Sequence, residues 1–225
     1  MRLDAEFLIP RLIAVAMILL ISFPVHEFAH AFAAYRLGDG TAKLFGRLTL
    51  NPIAHFDPIG GLLLVASSFT GFGIGWAKPT PVNPSNLRGG SDSEGIVAFA
   101  GPASNLVLAA LGAIPLRLLI AAAENGTNVP DIILNALFIF VQINVALMLF
   151  NLVPVPPLDG SKVLFSFMNP RQVWQYRPVL EQYGLILLLF VAFVPLIGGN
   201  QTIFGFLFVK IGYPIISFLI GQPIA

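Results

Sequence analysis

Three residues, His26, Glu27 and His30, form the pattern His-Glu-x-x-His, the part of this chain best suited to chemistry. Residues four apart lie on one face of an α-helix, so the two imidazoles can bind one metal ion. In hydrolases with this pattern, zinc lowers the pKa of a bound water and the glutamate accepts its proton. The pattern predicts zinc-dependent hydrolysis with Glu27 as general base, although so short a pattern also arises by chance.

The pattern stands at the end of an apolar stretch that runs from Leu12 to Val25. Two histidines and a glutamate are costly to bury in hydrocarbon, so their presence there indicates a function. Arg2 and Arg11 ahead of this stretch also fit a secretory signal peptide. Cleavage at the small residues that follow would cut the His-Glu-x-x-His helix, so we expect an uncleaved first membrane helix.

A third metal ligand is needed, because catalytic zinc usually has three protein ligands and a water. The chain contains no cysteine, which leaves histidine, aspartate and glutamate. Asp159 is the best candidate, since it follows a proline-rich segment beyond an apolar helix, where an unpaired carboxylate is costly. Its alternative role is to cap a helix from Ser161 onward. His55 is a rival ligand, but a lone histidine in a loop is more often structural, and we leave it out of the predicted metal set.

Other polar residues could serve a substrate. Asn105 and Asn144 lie inside predicted membrane helices, where each must find a partner. Each either joins two helices or faces the site and stabilises a substrate or a developing oxyanion. The proline-stiffened segment from Trp76 to Pro84 is either a surface loop or an edge to which an extended peptide adds as a strand. The sequence leaves these alternatives open.

Composition limits the class of protein. Of 225 residues, 56% are hydrophobic and 10% are charged, and the mean hydropathy is +0.85. A water-facing domain of this size could not bury so much apolar surface, so we predict an integral membrane protein. A net charge of +1 with scattered basic residues argues against a nucleic-acid partner. We expect a single domain over residues 1–225.

The elements that must position these residues follow from the apolar runs. They predict an all-α polytopic membrane protein with five to six transmembrane helices, the first of them open to a kink at Pro24. Residues 41–51 are predicted to form short strands, as a β-hairpin, or a re-entrant element at the membrane surface. Residues 71–90 and 152–160 are predicted to be irregular, because they are rich in proline and glycine. The predicted helices cover roughly residues 7–37, 58–72, 93–123, 131–151, 183–197 and 203–220.

Three motifs in order carry a family resemblance: His26-Glu27-x-x-His30, Gly101-Pro102-x-x-Asn105 and Asn151-Leu152-x-Pro154-x-Pro156-Pro157-Leu158-Asp159-Gly160. Together they resemble the site-2 protease family of intramembrane zinc metalloproteases, and the resemblance covers roughly residues 8 to 165. Many members of that family carry a PDZ domain between the two metal-binding regions. Here only a few polar residues near Asn125 separate the third and fourth predicted helices, so the chain resembles the compact subgroup without a PDZ domain.

The resemblance implies a zinc site formed by His26, His30 and Asp159, with Glu27 as general base. It implies hydrolysis of peptide bonds in or near transmembrane segments of membrane proteins, in the lipid bilayer, and we expect the cytoplasmic membrane of a prokaryote. Two alternatives stay open, a polytopic metal-binding protein or transporter and a non-catalytic relative of the proteases. A transporter would not need Glu27, so a Glu27 variant separates the first alternative from a protease.

Overall fold

The computed structural model describes residues 9, 12–13, 15–70, 75–195 and 201–223. The described residues form helices and connecting segments without a β-strand. The helices are α1 (Val15–Arg36), α2 (Thr41–Leu44), α3 (Pro52–His55), α4 (Pro58–Thr70), α5 (Gly90–Glu124), α6 (Asp131–Asn151), α7 (Asp159–Ser166), α8 (Pro170–Phe193) and α9 (Ile203–Ile220).

Five of these helices, α1, α5, α6, α8 and α9, are long and apolar enough to cross a membrane. This confirms the prediction of an all-α polytopic protein. The 13-residue helix α4 is too short to span a bilayer, which needs about 20 residues. Residues 125–130 join α5 directly to α6, so no PDZ domain lies between these two helices.

Helix α5 is the central element, and it packs against α1, α6, α7 and α9. Its small residues Ala109, Gly112 and Ala113 let α6 approach closely. A Cβ atom on Gly112 would lie 2.9 Å from Cδ1 of Phe140 on α6. The main apolar core forms around this contact from buried residues of α5, α6 and α9, namely Ala109, Ala113, Leu116, Val141, Val145, Met148, Ile216 and Ile220.

Helix α1 contains an irregular turn where the sequence predicts a kink. A π-helical turn, Ile18–Ser22, stands directly before the segment that carries Pro24. Proline has no backbone N–H to donate, and a π-turn replaces the regular bonds with bonds one residue longer. Both therefore interrupt the regular hydrogen-bond ladder. The regular helix resumes at Phe23 and carries the whole His-Glu-x-x-His pattern.

Two parts of the sequence fold differently from the prediction. The prediction of strands over residues 41–51 is wrong, because this stretch begins with the helix α2. At its end, Asn51 accepts a hydrogen bond from the Ile53 N–H, which starts α3. Helix α8 begins at Pro170 rather than near Tyr183. Asn169 and Gln172 form a capping box there, and an apolar-run criterion misses helix turns that are polar. The predicted end at Ile197 lies outside the described residues.

Polar contacts attach α8 to the rest of the protein. The Arg177 guanidinium donates to Glu94 of α5 at 3.2 Å and to Glu181 of its own helix at 2.8 Å. Further along, Gly184 contacts the segment after α6, where a Cβ atom would lie 2.3 Å from the Pro156 carbonyl oxygen. These contacts place residues 177–184 of α8 beside α5 and the segment that leads into α7.

Candidate metal centre

Three side chains from two separate parts of the chain converge on one point. His26 Nε2 and His30 Nε2, one turn apart on α1, are 3.1 Å from each other. Oδ2 of Asp159 lies 3.3 Å from the first nitrogen and 3.2 Å from the second. Within the part of the chain that the structure describes, this is the one group of three such side chains close enough to share a metal ion.

The segment between α6 and α7 brings Asp159 to α1. Three prolines prevent a helix between Leu152 and Leu158, so the chain turns and α7 starts at Asp159. A carboxylate is favourable in the first turn, where free backbone N–H groups point outward. A Cβ atom on Gly160 would lie 2.3 Å from the Leu152 carbonyl oxygen, so this tight return requires glycine.

The outer nitrogen of each histidine is held by an acceptor. Nδ1 of His30 lies 2.7 Å from the carbonyl oxygen of Val97, and Nδ1 of His26 lies 2.6 Å from Oδ1 of Asn105. An oxygen acceptor requires a proton on the facing nitrogen, so in each neutral ring Nε2 carries the lone pair. The tautomers assigned from this network point both lone pairs at Asp159.

This set of atoms suits a cation. Two imidazole lone pairs and a carboxylate oxygen are all acceptors, and a single proton can join only two of them. Ligands bound to zinc at 2.0–2.1 Å with tetrahedral angles are about 3.3–3.4 Å apart. The observed separations of 3.1–3.3 Å match that spacing. The three residues therefore fit one tetrahedral metal ion with a fourth position left for water or substrate.

One face of α5 forms the wall behind the two histidines. Val97, Gly101 and Asn105 are spaced four residues apart, so they lie on successive turns of that face. A Cβ atom on Gly101 would lie only 2.3 Å from His30 Nε2, the nitrogen that faces the metal position. The sequence marks Gly101 as part of a motif, but this contact shows why glycine is needed: any side chain would enter the site.

Glu27 is held by a residue that sequence reasoning missed. The Thr80 backbone N–H donates to Glu27 Oε2 at 2.7 Å, and Thr80 Oγ1 donates to the Glu27 carbonyl oxygen at 3.0 Å. Thr80 lies within the predicted edge segment, between Pro79 and Pro81. The contact joins residues 53 positions apart, so no local signal could have revealed it.

Asp39 holds the far end of the same loop, residues 76–88. This fully buried carboxylate accepts hydrogen bonds from the Thr41 N–H at 3.0 Å, the Asn83 N–H at 2.7 Å and Asn86 Nδ2 at 3.0 Å. Burial raises the pKa of Asp39, but these bonds and one from the Thr41 hydroxyl outweigh it and lower the pKa below its usual value. Asp39 therefore stays ionised and fixes the loop beside α1.

His55 does not join the three converging side chains. It is buried, and its Nε2 donates to the Thr49 carbonyl oxygen at 2.8 Å. Its backbone carbonyl accepts from the Lys78 N–H at 2.9 Å. His55 therefore supports the loop that carries Thr80, which is a structural position.

The two asparagines lie behind the site rather than in it. Asn105 and Asn144 are both 0% exposed, and their amides bond to each other and to groups of the protein. Their hydrogen bond joins α5 to α6, which is one of the two alternatives that the sequence leaves open, and in this structure neither side chain is open to a substrate.

Comparisons with known proteins agree with this chemistry. The model of "Peptidase family M50" matches residues 116–197, a range that includes Asp159. The chain is 41% identical over 179 residues to "Putative zinc metalloprotease YwhC" of Bacillus subtilis (strain 168), covering 79% of each chain. It is 31% identical over 180 residues to "Putative zinc metalloprotease Rip2" of Mycolicibacterium smegmatis, covering 78% of this chain and 65% of that one. No solved structure matches the chain.

Proposed function

Because this chain belongs to peptidase family M50, we propose that it is a zinc metalloprotease that cleaves peptide bonds in or near transmembrane segments of other membrane proteins. It is an integral membrane protein by its apolar helices and its family. The bacterial relatives support a location in the cytoplasmic membrane of a prokaryote. Its partners are then transmembrane substrates and the surrounding lipid.

One observation carries the proposal. Two imidazole nitrogens of α1, a helix apolar enough to cross a membrane, meet a carboxylate oxygen of α7 within 3.3 Å, and all three atoms are acceptors. Glu27 stands next to His26 on that helix. A buried group of acceptors is costly without a cation, and a neighbouring carboxylate adds the base that hydrolysis needs.

Each residue then has a defined task. His26, His30 and Asp159 would hold zinc, which supplies Lewis-acid activation of water and of the scissile carbonyl. Glu27 accepts the proton of the attacking water at its carboxylate and delivers it to the nitrogen of the peptide bond that breaks. The Thr80 N–H keeps one carboxylate oxygen, Oε2, in place, which leaves the other for the proton. Gly101 keeps the space beside His30 open.

Replacement of Glu27 by glutamine tests this proposal. The amide keeps the shape of the carboxylate but cannot accept a proton, so we expect Glu27→Gln to retain zinc and to lose cleavage by about 10²–10⁴-fold. Purified protein would be assayed for zinc content and for cleavage of a transmembrane substrate, with and without chelator. Glu124→Gln, the same change at the exposed end of α5, is the control and should cleave normally. Cleavage by Glu27→Gln at the control rate would reject this mechanism and favour a metal carrier.

A further inference from the structure

We propose that Asn105 and Asn144 form an orienting chain that fixes the tautomer of His26, so that Nε2 presents a lone pair to the metal. Both are positioning residues, since neither reaches a substrate. The inference rests on the proposed zinc site and adds the residues that set its geometry.

The orienting chain starts at a backbone carbonyl, which can only accept a hydrogen bond. Nδ2 of Asn144 donates to the carbonyl oxygen of Phe140 at 2.9 Å. An amide that turns its nitrogen toward Phe140 must turn its oxygen the other way. Oδ1 of Asn144 therefore faces α5, where Nδ2 of Asn105 donates to it at 3.1 Å.

The orientation of Asn144 in turn fixes the amide of Asn105, which contacts His26. Because the nitrogen of its amide faces Asn144, its oxygen faces His26 and lies 2.6 Å from Nδ1. An oxygen at that distance requires a proton on Nδ1, and a neutral imidazole then carries none on Nε2. The carbonyl of Phe140 thus sets the proton position on His26 through two amides.

His26 needs this chain and His30 does not. Nδ1 of His30 faces a main-chain carbonyl, that of Val97, which cannot be reversed. An amide side chain has two nearly equal orientations, and the reversed one would point Nδ2 at Nδ1 of His26. That orientation would drive the proton to Nε2 and block the metal. Asn144 prevents it, because reversal of Asn105 would set the amide oxygens of the two asparagines, both acceptors, against each other in a fully buried place.

Measurement of zinc affinity tests the orienting role of Asn105 and Asn144. Outer partners of metal-binding histidines typically contribute about 10–100-fold to affinity. We expect Asn105→Leu to weaken zinc binding by about this factor, measured by competition with a chelator, and Asn144→Leu to weaken it as well. Because the two act in series, the double variant should be no weaker than Asn105→Leu. Asn135→Leu, the same change at an exposed position of α6, should bind zinc normally.

A carboxylate at position 105 separates orientation from packing. Asn105→Asp loses the donor to Asn144 and some stability, but its oxygens still accept from Nδ1 of His26. It should therefore keep zinc affinity close to that of the unchanged protein. A loss equal to that of Asn105→Leu would reject the orienting role.

The tautomer itself provides a readout without metal. The chain has three histidines, so ¹⁵N NMR of the metal-free protein at alkaline pH can resolve each ring. We expect His26 to be protonated at Nδ1 in the unchanged protein and to lose this preference in Asn105→Leu. An unchanged tautomer and unchanged zinc affinity in that variant would overturn the inference while leaving the protease proposal intact. If the unchanged protein bound no zinc but the variant had an altered tautomer, the protease proposal would fail while the orienting role of the asparagines would stand.

Discussion

His26 and His30 present their inner nitrogens to Asp159 because other groups bind their outer nitrogens. The partners differ: a main-chain carbonyl for His30 and an amide side chain for His26. Asp159 has no such choice, since its carboxylate is an acceptor in any orientation. The site is therefore a convergence of three acceptors, an arrangement that suits a cation.

Removal of Asp159 should empty this site. Asp159→Ala leaves two ligands, and we expect zinc affinity to fall by more than the about 10–100-fold that an outer partner contributes. His55→Ala should keep zinc, because His55 bonds to Thr49 and lies outside the group. Metal analysis of the purified variants measures both, with Asp131→Ala at an exposed position as control. Normal zinc content in Asp159→Ala would remove Asp159 from the site.

The spacing of His26, Glu27 and His30 could be read from the sequence, because all three lie within two turns of one helix. Asp159 could be singled out by its costly position after an apolar helix. The contacts of Thr80 with Glu27 and of Gly101 with His30 could not, since they depend on how a distant loop and α5 pack on α1. Long-range packing leaves no periodic signal in the sequence.

The 76–88 loop links Glu27 to the end of α1. The N–H groups on its inner side bind other parts of the protein. That of Lys78 donates to the His55 carbonyl oxygen, and that of Thr80 donates to the Glu27 carboxylate. In an extended chain, alternate residues face opposite sides, so Pro79 and Pro81 face away. Proline has no N–H, so a substrate strand that added to this outer edge would meet carbonyl acceptors rather than donors at these two residues.

Loss of the Asp39 charge should loosen this loop in a pH-dependent way. The pKa of Asp39 is lower in the folded protein than its ordinary value of about 3.9, so its stabilisation is complete above that value. It is lost as the pH falls through the lowered pKa. At pH 7, Asp39→Asn should be less stable by about 1.5–3 kcal/mol, the value of a hydrogen bond to a charged group.

Thermal unfolding of the detergent-solubilised protein between pH 7 and pH 3 measures this effect. The difference between the unchanged protein and Asp39→Asn should shrink toward the acid end. Asp92→Asn, at an exposed position of α5, should show no such trend. A difference that stays constant over the whole range would show that the charge of Asp39 does not hold the loop.

The elements themselves were predictable to the extent that their ends carry local signals. Helix α6 spans the predicted Asp131–Asn151, since it follows Pro130 and stops before a proline-rich segment. The start of α8 is marked by a capping box rather than by an apolar run, because its first turns are polar. The close spacing of the apolar residues in 41–51 predicts short strands or a re-entrant element, whereas the stretch contains α2, which follows Gly40, and leads into α3, which follows Asn51.

Helix α5 determines where the site lies in the protein. It packs on α1 with the face that carries Val97, Gly101 and Asn105, and on α6 with the small residues around Gly112. Both contacts belong to helices apolar enough to cross a membrane, so the metal position is surrounded by elements that would face lipid on their outer sides. Under the proposed function, a substrate from the membrane must reach this position, and in a helix its peptide bonds are already hydrogen-bonded.

Unwinding of the substrate should therefore limit cleavage. Each backbone group freed in lipid costs several kcal/mol unless a partner replaces the helical bond. The outer edge of the 76–88 loop can accept hydrogen bonds from substrate N–H groups, which favours residues that leave a helix readily but keep their N–H. We expect a Gly-Asn pair near the scissile bond of a poorly cleaved transmembrane segment to increase its cleavage, and an all-leucine helix of equal length to resist.

The two substrates would be compared in the same bilayer at matched enzyme concentration, with the Glu27→Gln variant as the blank. Equal cleavage rates would show that unwinding does not limit this enzyme, and the addition of a substrate strand to the loop would lose its support.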